Sequence, residues 1–271
     1  MADMLINKNN VFYRKWYCKN PVAVILAIHG MGAHSERYRD MAKFFNSKRI
    51  STYSISLRGY GELFEKKCYR IKNYCNDLRK LKEIIIKENP NKPIFILGES
   101  MGALIAHINV LFYDNNFAGL IEIAPVYRDI MKISILNRIK IAFLSIISPD
   151  SLIKMPFKTE ELTRDKKVIL KLSKDKRETR VASAGLLLDI LLNQIKVTLF
   201  IKKIHLPVLF LLAGKDMLGD TEYNIKLFKK LNCNKEIKVY KNSYHALTIE
   251  KNRKMVFKDI YNWVKKILWK S

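Results

Sequence analysis

Acidic residues are in short supply. The 271 residues hold 25 Asp and Glu against 50 Lys and Arg, a formal charge of +25. A basic balance this strong admits nucleic acid, an anionic membrane surface or an acidic substrate. The cations, however, run along the whole chain, with small clusters such as Lys166-Lys167, Lys229-Lys230 and Lys265-Lys266. They read as solvated helix faces. No basic motif interleaved with aromatics accompanies them, so no specific nucleic-acid partner is expected. Cysteine is sparse too. Cys18, Cys68, Cys75 and Cys233 form no C-x-x-C pair, and no histidine lies at metal-ligand spacing from them. That excludes a cysteine-based zinc site and argues against a disulfide framework; reduced thiols and a cytoplasmic location are expected. The start, MADMLINKNN, carries an acid and lacks the apolar centre of a signal peptide. Roughly 18 uncharged apolar residues in a row would suggest a membrane span. The richest stretch, Ala184 to Ile201, is broken by Asp189, Gln194 and Lys196. Repeats and low-complexity linkers are absent as well.

What is present is strand–helix alternation. Hydrophobic residues make up 49%, enough for a large core, and the length suits one α/β domain or two small ones. Val11 to Tyr17 reads as a strand, half of an opening hairpin. Val22 to Ile28 (VAVILAI) is a continuous β-branched run, typical of a buried parallel strand. Further core strands are expected at 52–56, 94–97, 118–124, 207–213 and 236–240. Helices are expected at 36–48, with Ser35 as N-cap, and at 75–88, 103–112, 222–231 and 257–268. Alternation at this spacing implies right-handed crossovers and a mostly parallel sheet flanked by helices. Between Pro125 and His205 the alternation stops, and helices alone are expected, at 130–145, 166–171 and 182–201. The division predicted is a first core part, 1–125, a helical cap, 126–204, and a second core part, 205–271.

Sites in open parallel sheets form at the carboxyl ends of strands. Four expected strand ends carry chemistry: His29-Gly30-Met31-Gly32, Gly98-Glu99-Ser100-Met101-Gly102, Gly214-Lys215-Asp216, and Asn242-Ser243-Tyr244-His245. They supply a serine, an acid and a histidine in the chain order of the α/β-hydrolase triad, and G-x-S-x-G at a strand-to-helix turn is that fold's nucleophile elbow. Ser100 is the candidate nucleophile. Gly98 and Gly102 avoid the clash a Cβ would make in so tight a turn. His245 would serve as general base, with Asp216 fixing its tautomer. The backbone amides of Met31 and Met101 are the candidate oxyanion donors. Asp220 is the rival acid, but its place before Thr221-Glu222 also suits a helix cap. His29, His34, His107 and His205 compete with His245, yet none follows a late strand.

These residues resemble a known family. HGMGAHSERY, GESMGA, AGKDMLGD and NCNKEIKVYKNSYHAL are similar to the monoacylglycerol lipase and lysophospholipase branch of the α/β hydrolases, with the related serine aminopeptidases. The likeness covers nearly the whole chain and is weakest in 126–204. It implies an α/β-hydrolase fold with a helical cap between the sixth and seventh strands of the sheet. It implies Ser100, Asp216 and His245 as triad, Met31 and Met101 as oxyanion donors, and an apolar acyl tunnel with neither metal nor cofactor. The family often has His where this chain has Glu99, and commonly Glu where it has Ala33; both positions bear on substrate preference. The apolar stretch Ala184 to Leu192 is read as cap core with some pocket-lining leucines. The expected function is hydrolysis of a single-chain lipid ester, a monoacylglycerol or lysophospholipid. A transient contact with a membrane surface is compatible with this. The alternatives are a short-chain carboxylesterase, an aminopeptidase-like acyl hydrolase, or a binding protein on a hydrolase fold.

Overall fold

The computed structural model describes residues 4–269. Residues 1–3, part of the start read above for a signal peptide, lie outside the described residues, as do 270 and 271. The chain opens with an antiparallel hairpin, β1 (Ile6–Lys8) and β2 (Val11–Trp16). Its turn residues Asn9 and Asn10 both have positive φ, 57° and 59°. Asparagine tolerates that region, and such turns match the twist of the paired strands. Then come β3 (Ala23–Ile28), β4 (Ile50–Ile55), β5 (Ile94–Glu99) and β6 (Gly119–Ile123). A short pair, β7 (Leu152–Lys154) and β8 (Val181–Ser183), precedes β9 (Val208–Ala213) and β10 (Lys235–Tyr240). Eight strands form one sheet in the order β1-β2-β4-β3-β5-β6-β9-β10, parallel from β4 to β10.

The continuous apolar strands have a simple cause: both sheet faces are covered. Val24, Leu26 and Ile28 pack under α2 (Ile71–Glu88) and α3 (Met101–Phe112). Their neighbours Ala23, Ile25 and Ala27 face α1 (Arg39–Asn46) and, later in the chain, α8 (Arg253–Leu268). Every residue of β3 is buried, and each fully buried Ile or Leu contributes about 1.5–3 kcal/mol. The pairing register sets Ile28 beside Gly98, and Glu99 beside Ile123. The carboxyl ends of β3, β5 and β6 therefore share one edge of the sheet.

Between β6 and β9 lie α4 (Ile135–Ile147), α5 (Lys166–Lys174) and α6 (Ala184–Phe200). α7 (Thr221–Lys230) follows β9. The expectation of helices alone in this region needs correcting, because β7 and β8 pair antiparallel, Leu152 with Ser183 and Lys154 with Val181. Strands of three residues are too short to show a period, and only long-range pairing defines them. Ser35 is also not a side-chain cap. It begins a 3-10 turn, Ser35–Tyr38, that leads into α1. Its hydroxyl instead accepts from Arg14 Nη1 at 2.5 Å and meets Ser56 Oγ at 2.6 Å. Arg14 is buried, and a buried guanidinium demands acceptors more strongly than a helix end near water does.

By length and composition alone the 20-residue segment Ala184–Lys203, with an 18-residue window of mean hydropathy 1.6, is apolar enough to cross a membrane. Two of its polar side chains bond to backbone elsewhere in the fold instead. Asp189 accepts from the Ile71 amide at 2.7 Å, and Gln194 donates to the Val126 carbonyl at 2.8 Å. α4, which packs on α6, is different: among its residues only Ser145 is buried, while Leu136 and Ile146 are 74% and 77% exposed.

Candidate active site

Ser100 sits between the end of β5 and the start of α3 with φ 60° and ψ −120°. That conformation is strained for a non-glycine residue by about 1–3 kcal/mol. The glycines around it show what the turn requires. A Cβ on Gly98 would lie 2.2 Å from the Gly102 carbonyl oxygen, and one on Gly102 would lie 2.1 Å from that of Ile28. Neither backbone oxygen can move aside, so both positions accept only glycine. The Ser100 amide donates to Ile123 at 2.9 Å, which pins the turn to β6.

His245 follows β10 and points back at this turn. Its Nε2 lies 2.8 Å from Ser100 Oγ, and its Nδ1 lies 2.8 and 2.9 Å from the two oxygens of Asp216. Asp216 Oδ1 also accepts from the amides of Leu218 and Gly219, at 2.8 and 2.9 Å, so its carboxylate is held in place. His245 is fully buried, and burial alone would lower its pKa. The charge and hydrogen bond of Asp216, with the more distant charge of Glu99, outweigh burial and hold it above the ordinary 6.5. Asp220 is placed elsewhere: it caps α7, accepting from the Tyr223 amide at 2.9 Å.

The loop after β3 abuts the serine. A Cβ on Gly30 would come within 3.1 Å of Ser100 Cβ, so the main chain itself forms this wall. The amides of Met31 and Met101 donate no hydrogen bond to any described residue, and both residues line the cavity at the serine. His29 is structural. Its Nδ1–H donates to the Gly30 carbonyl at 2.9 Å, and its Nε2 accepts from the Leu57 amide at 3.1 Å. Burial pushes it down to about 4, so the ring stays neutral near pH 7. Gly32 is where the insertion attaches. The Thr179 amide donates to its carbonyl at 2.9 Å, and a Cβ there would collide with the Thr179 oxygen.

Charge reinforces that attachment. Arg37 grips both oxygens of Glu178, and Arg177 pairs with Glu36, Glu62 and Asp175. Among the described residues, His34, Glu36 and Glu62 bring ligand atoms within 4.8 Å of one another, as a metal site would need. Arg14 and Arg177 already neutralise both carboxylates. Sequence reasoning missed these links. Arg37 stands in a recognisable stretch, but Glu178 carries no local signal. Neither does Glu250, which is fully buried and accepts from the amides of Tyr244 and Arg164, tying the histidine loop to the insertion.

A cavity of about 200 Å³ opens on Ser100 and His245. Its walls are mostly apolar, with Leu104 and Met101 from the core and Ile133, Ile141, Met155 and Leu187 from the insertion. The leucine-rich stretch divides as its composition suggested. Leu186 is buried in the core, while Leu187, Leu188 and Leu191 face the cavity. Glu99 and Ala33 both border it.

A serine, a buried histidine and a carboxylate on an eight-stranded α/β sheet set the frame for comparison with known proteins. The sequence profile of the family described as serine aminopeptidase, S33, matches residues 19–252. The chain belongs to this family. Its relatives include a monoglyceride lipase homolog of Monkeypox virus, 28% identical over 92% of this chain and 93% of that one. The human monoglyceride lipase is 26% identical over 94% of this chain and 86% of its own length. A soluble variant of the Saccharomyces cerevisiae monoglyceride lipase, solved with a substrate analog, superposes with a TM-score of 0.87. That match has 20% identity and covers 97% and 94% of the two chains. This S33 hydrolase is an α/β hydrolase of the monoacylglycerol lipase-like branch, a branch of carboxylic ester hydrolases.

Proposed function

We propose that this hydrolase cleaves the carboxylic ester of a single-acyl-chain lipid, a monoacylglycerol or lysophospholipid, through an acyl-enzyme on Ser100. The observation that carries the reading is the 2.8 Å approach of His245 Nε2 to Ser100 Oγ at the wall of an apolar cavity. His245 takes the serine proton as Oγ attacks the ester carbonyl. The resulting imidazolium is stabilised by Asp216, and its proton passes to the leaving alcohol. The amides of Met31 and Met101 receive the oxyanion, the latter at the positive end of α3. A water then repeats the sequence on the acyl-enzyme. Residues 126–204 act as a cap that completes the acyl pocket.

The exposed apolar side of α4, Leu136, Ile139, Phe143 and Ile146 among others, stands beside Lys132, Arg138 and Lys140. That combination suits a peripheral, transient contact with an anionic membrane surface from the cytoplasmic side. A second reading has its own support. The cavity is smaller than the roughly 300–1,000 Å³ of most ligand pockets, which favours a short acyl chain.

The deciding experiment is labelling by a fluorophosphonate probe, wild type beside Ser100→Ala, followed by an acyl-chain series on glycerol and lysophospholipid esters. Labelling of wild type alone supports the nucleophile. No labelling of a folded wild type, or equal labelling of both, overturns it. An optimum at two to four carbons would select the short-chain reading.

A further inference from the structure

Glu99 stands immediately before the nucleophile, and its carboxylate does not face water. It is 5% exposed, and both oxygens are engaged by one residue of another loop. The Thr248 amide donates to Oε1 at 3.0 Å, and the Thr248 hydroxyl donates to Oε2 at 2.7 Å. Thr248 lies three residues after His245, in the 3-10 turn Leu247–Ile249. The residue next to the nucleophile is thus bound to the turn that carries the base.

We propose that Glu99 is a positioning residue, which ties the Ser100 turn to the His245 loop through Thr248 and sets a second carboxylate near His245. The inference rests on the serine-hydrolase reading above. The charged groups around this carboxylate are few. Arg37, from the 3-10 turn Ser35–Tyr38, faces it but is held bidentately by Glu178 of the insertion. The charge of His245 acts on it from the other loop, where that ring is itself held by Asp216. Tyr38 feels the same negative charge. Burial is the largest influence and raises Glu99 above the ordinary carboxylate value, while the Thr248 donors, Arg37 and His245 oppose it in favour of the anion. Glu99 in turn adds to the Asp216 charge in holding His245 above its ordinary value, and Arg37 opposes both. The base therefore responds to two carboxylates, one in hydrogen-bond contact and one acting through charge alone.

The test is the pH dependence of kcat/KM on a short chromogenic ester, whose acid limb reports the free-enzyme histidine. Glu99→Gln preserves shape and an acceptor for the Thr248 amide but removes the charge. Without that carboxylate's charge the imidazolium is less favoured, so the acid limb should move to lower pH. Glu99→His also removes the carboxylate and should shift the limb the same way, which covers a failure of the first variant to fold. Thr248→Val cuts the hydroxyl tether and keeps the backbone donor; it should lower kcat/KM at the pH optimum. An active wild type whose Glu99 variants keep the wild-type midpoint would refute this role alone. A folded wild type that neither turns over esters nor takes the fluorophosphonate would take down both readings.

Discussion

Asp216 and Asp220 are four positions apart, and the fold gives them unrelated tasks. Asp216 meets both the His245 ring and a pair of amides; Asp220 ends a helix. Asp216→Asn should lower kcat roughly 10⁴-fold, because the amide presents a donor to Nδ1–H and disfavours the working tautomer. Asp220→Asn should stay within a few-fold of wild type, since Asn caps helices about as well as Asp. Steady-state kinetics of the two variants decide between them, and the reverse ranking would move the acid to Asp220. The glycines of the turn are equally specific. The added methyl of Gly98→Ala would meet immovable backbone at 2.2 Å, and denaturant unfolding should show a loss of about 3 kcal/mol.

At the scale of elements, the insertion is fastened by a charged clasp between the segment Asp175–Arg180 and the turn after β3, Arg177 with Glu36 and Glu178 with Arg37. Burial would raise Glu62, but the guanidiniums of Arg14 and Arg177 prevail and hold it at about 2. Glu178 is likewise held below its usual range: Arg37 outweighs the burial that would raise it. Both folded values lie below the unfolded ones. The stabilisation is therefore complete above about pH 4.5 and is lost as pH falls from there toward 2. The Tm difference between wild type and Arg177→Met should be widest at pH 7 and shrink through that window. A difference independent of pH would show that Arg177 acts by packing and not by charge.

For the whole molecule, two kinds of leucine serve different ends. Leu26 is fully buried at the centre of the sheet, whereas Leu136 on α4 is 74% exposed. Leu26→Ala should cost about 2–5 kcal/mol in chemical denaturation, and Leu136→Asp within about 0.5 kcal/mol. The second substitution should instead reduce flotation with anionic vesicles. Undiminished flotation would mean that α4 is not the membrane-facing surface.

The core was readable from the chain because its signals are local. VAVILAI is apolar without a gap since both sheet faces are covered, and Gly98 answers to the Gly102 carbonyl four residues away. Strand ends then placed the serine, aspartate and histidine on one edge with no knowledge of distances. The rest depended on pairs that only folding brings together. β7 and β8 exist through each other. Ser35 serves buried Arg14 instead of capping a helix. Glu99 acquires its partner 149 positions away in Thr248. α4 and α6 are both apolar in sequence, and only packing decides that α6 is bonded to the core while α4 leaves Leu136, Ile139, Phe143 and Ile146 exposed. Periodicity and turn chemistry act over a few residues, but burial and ion pairing are properties of a site in space.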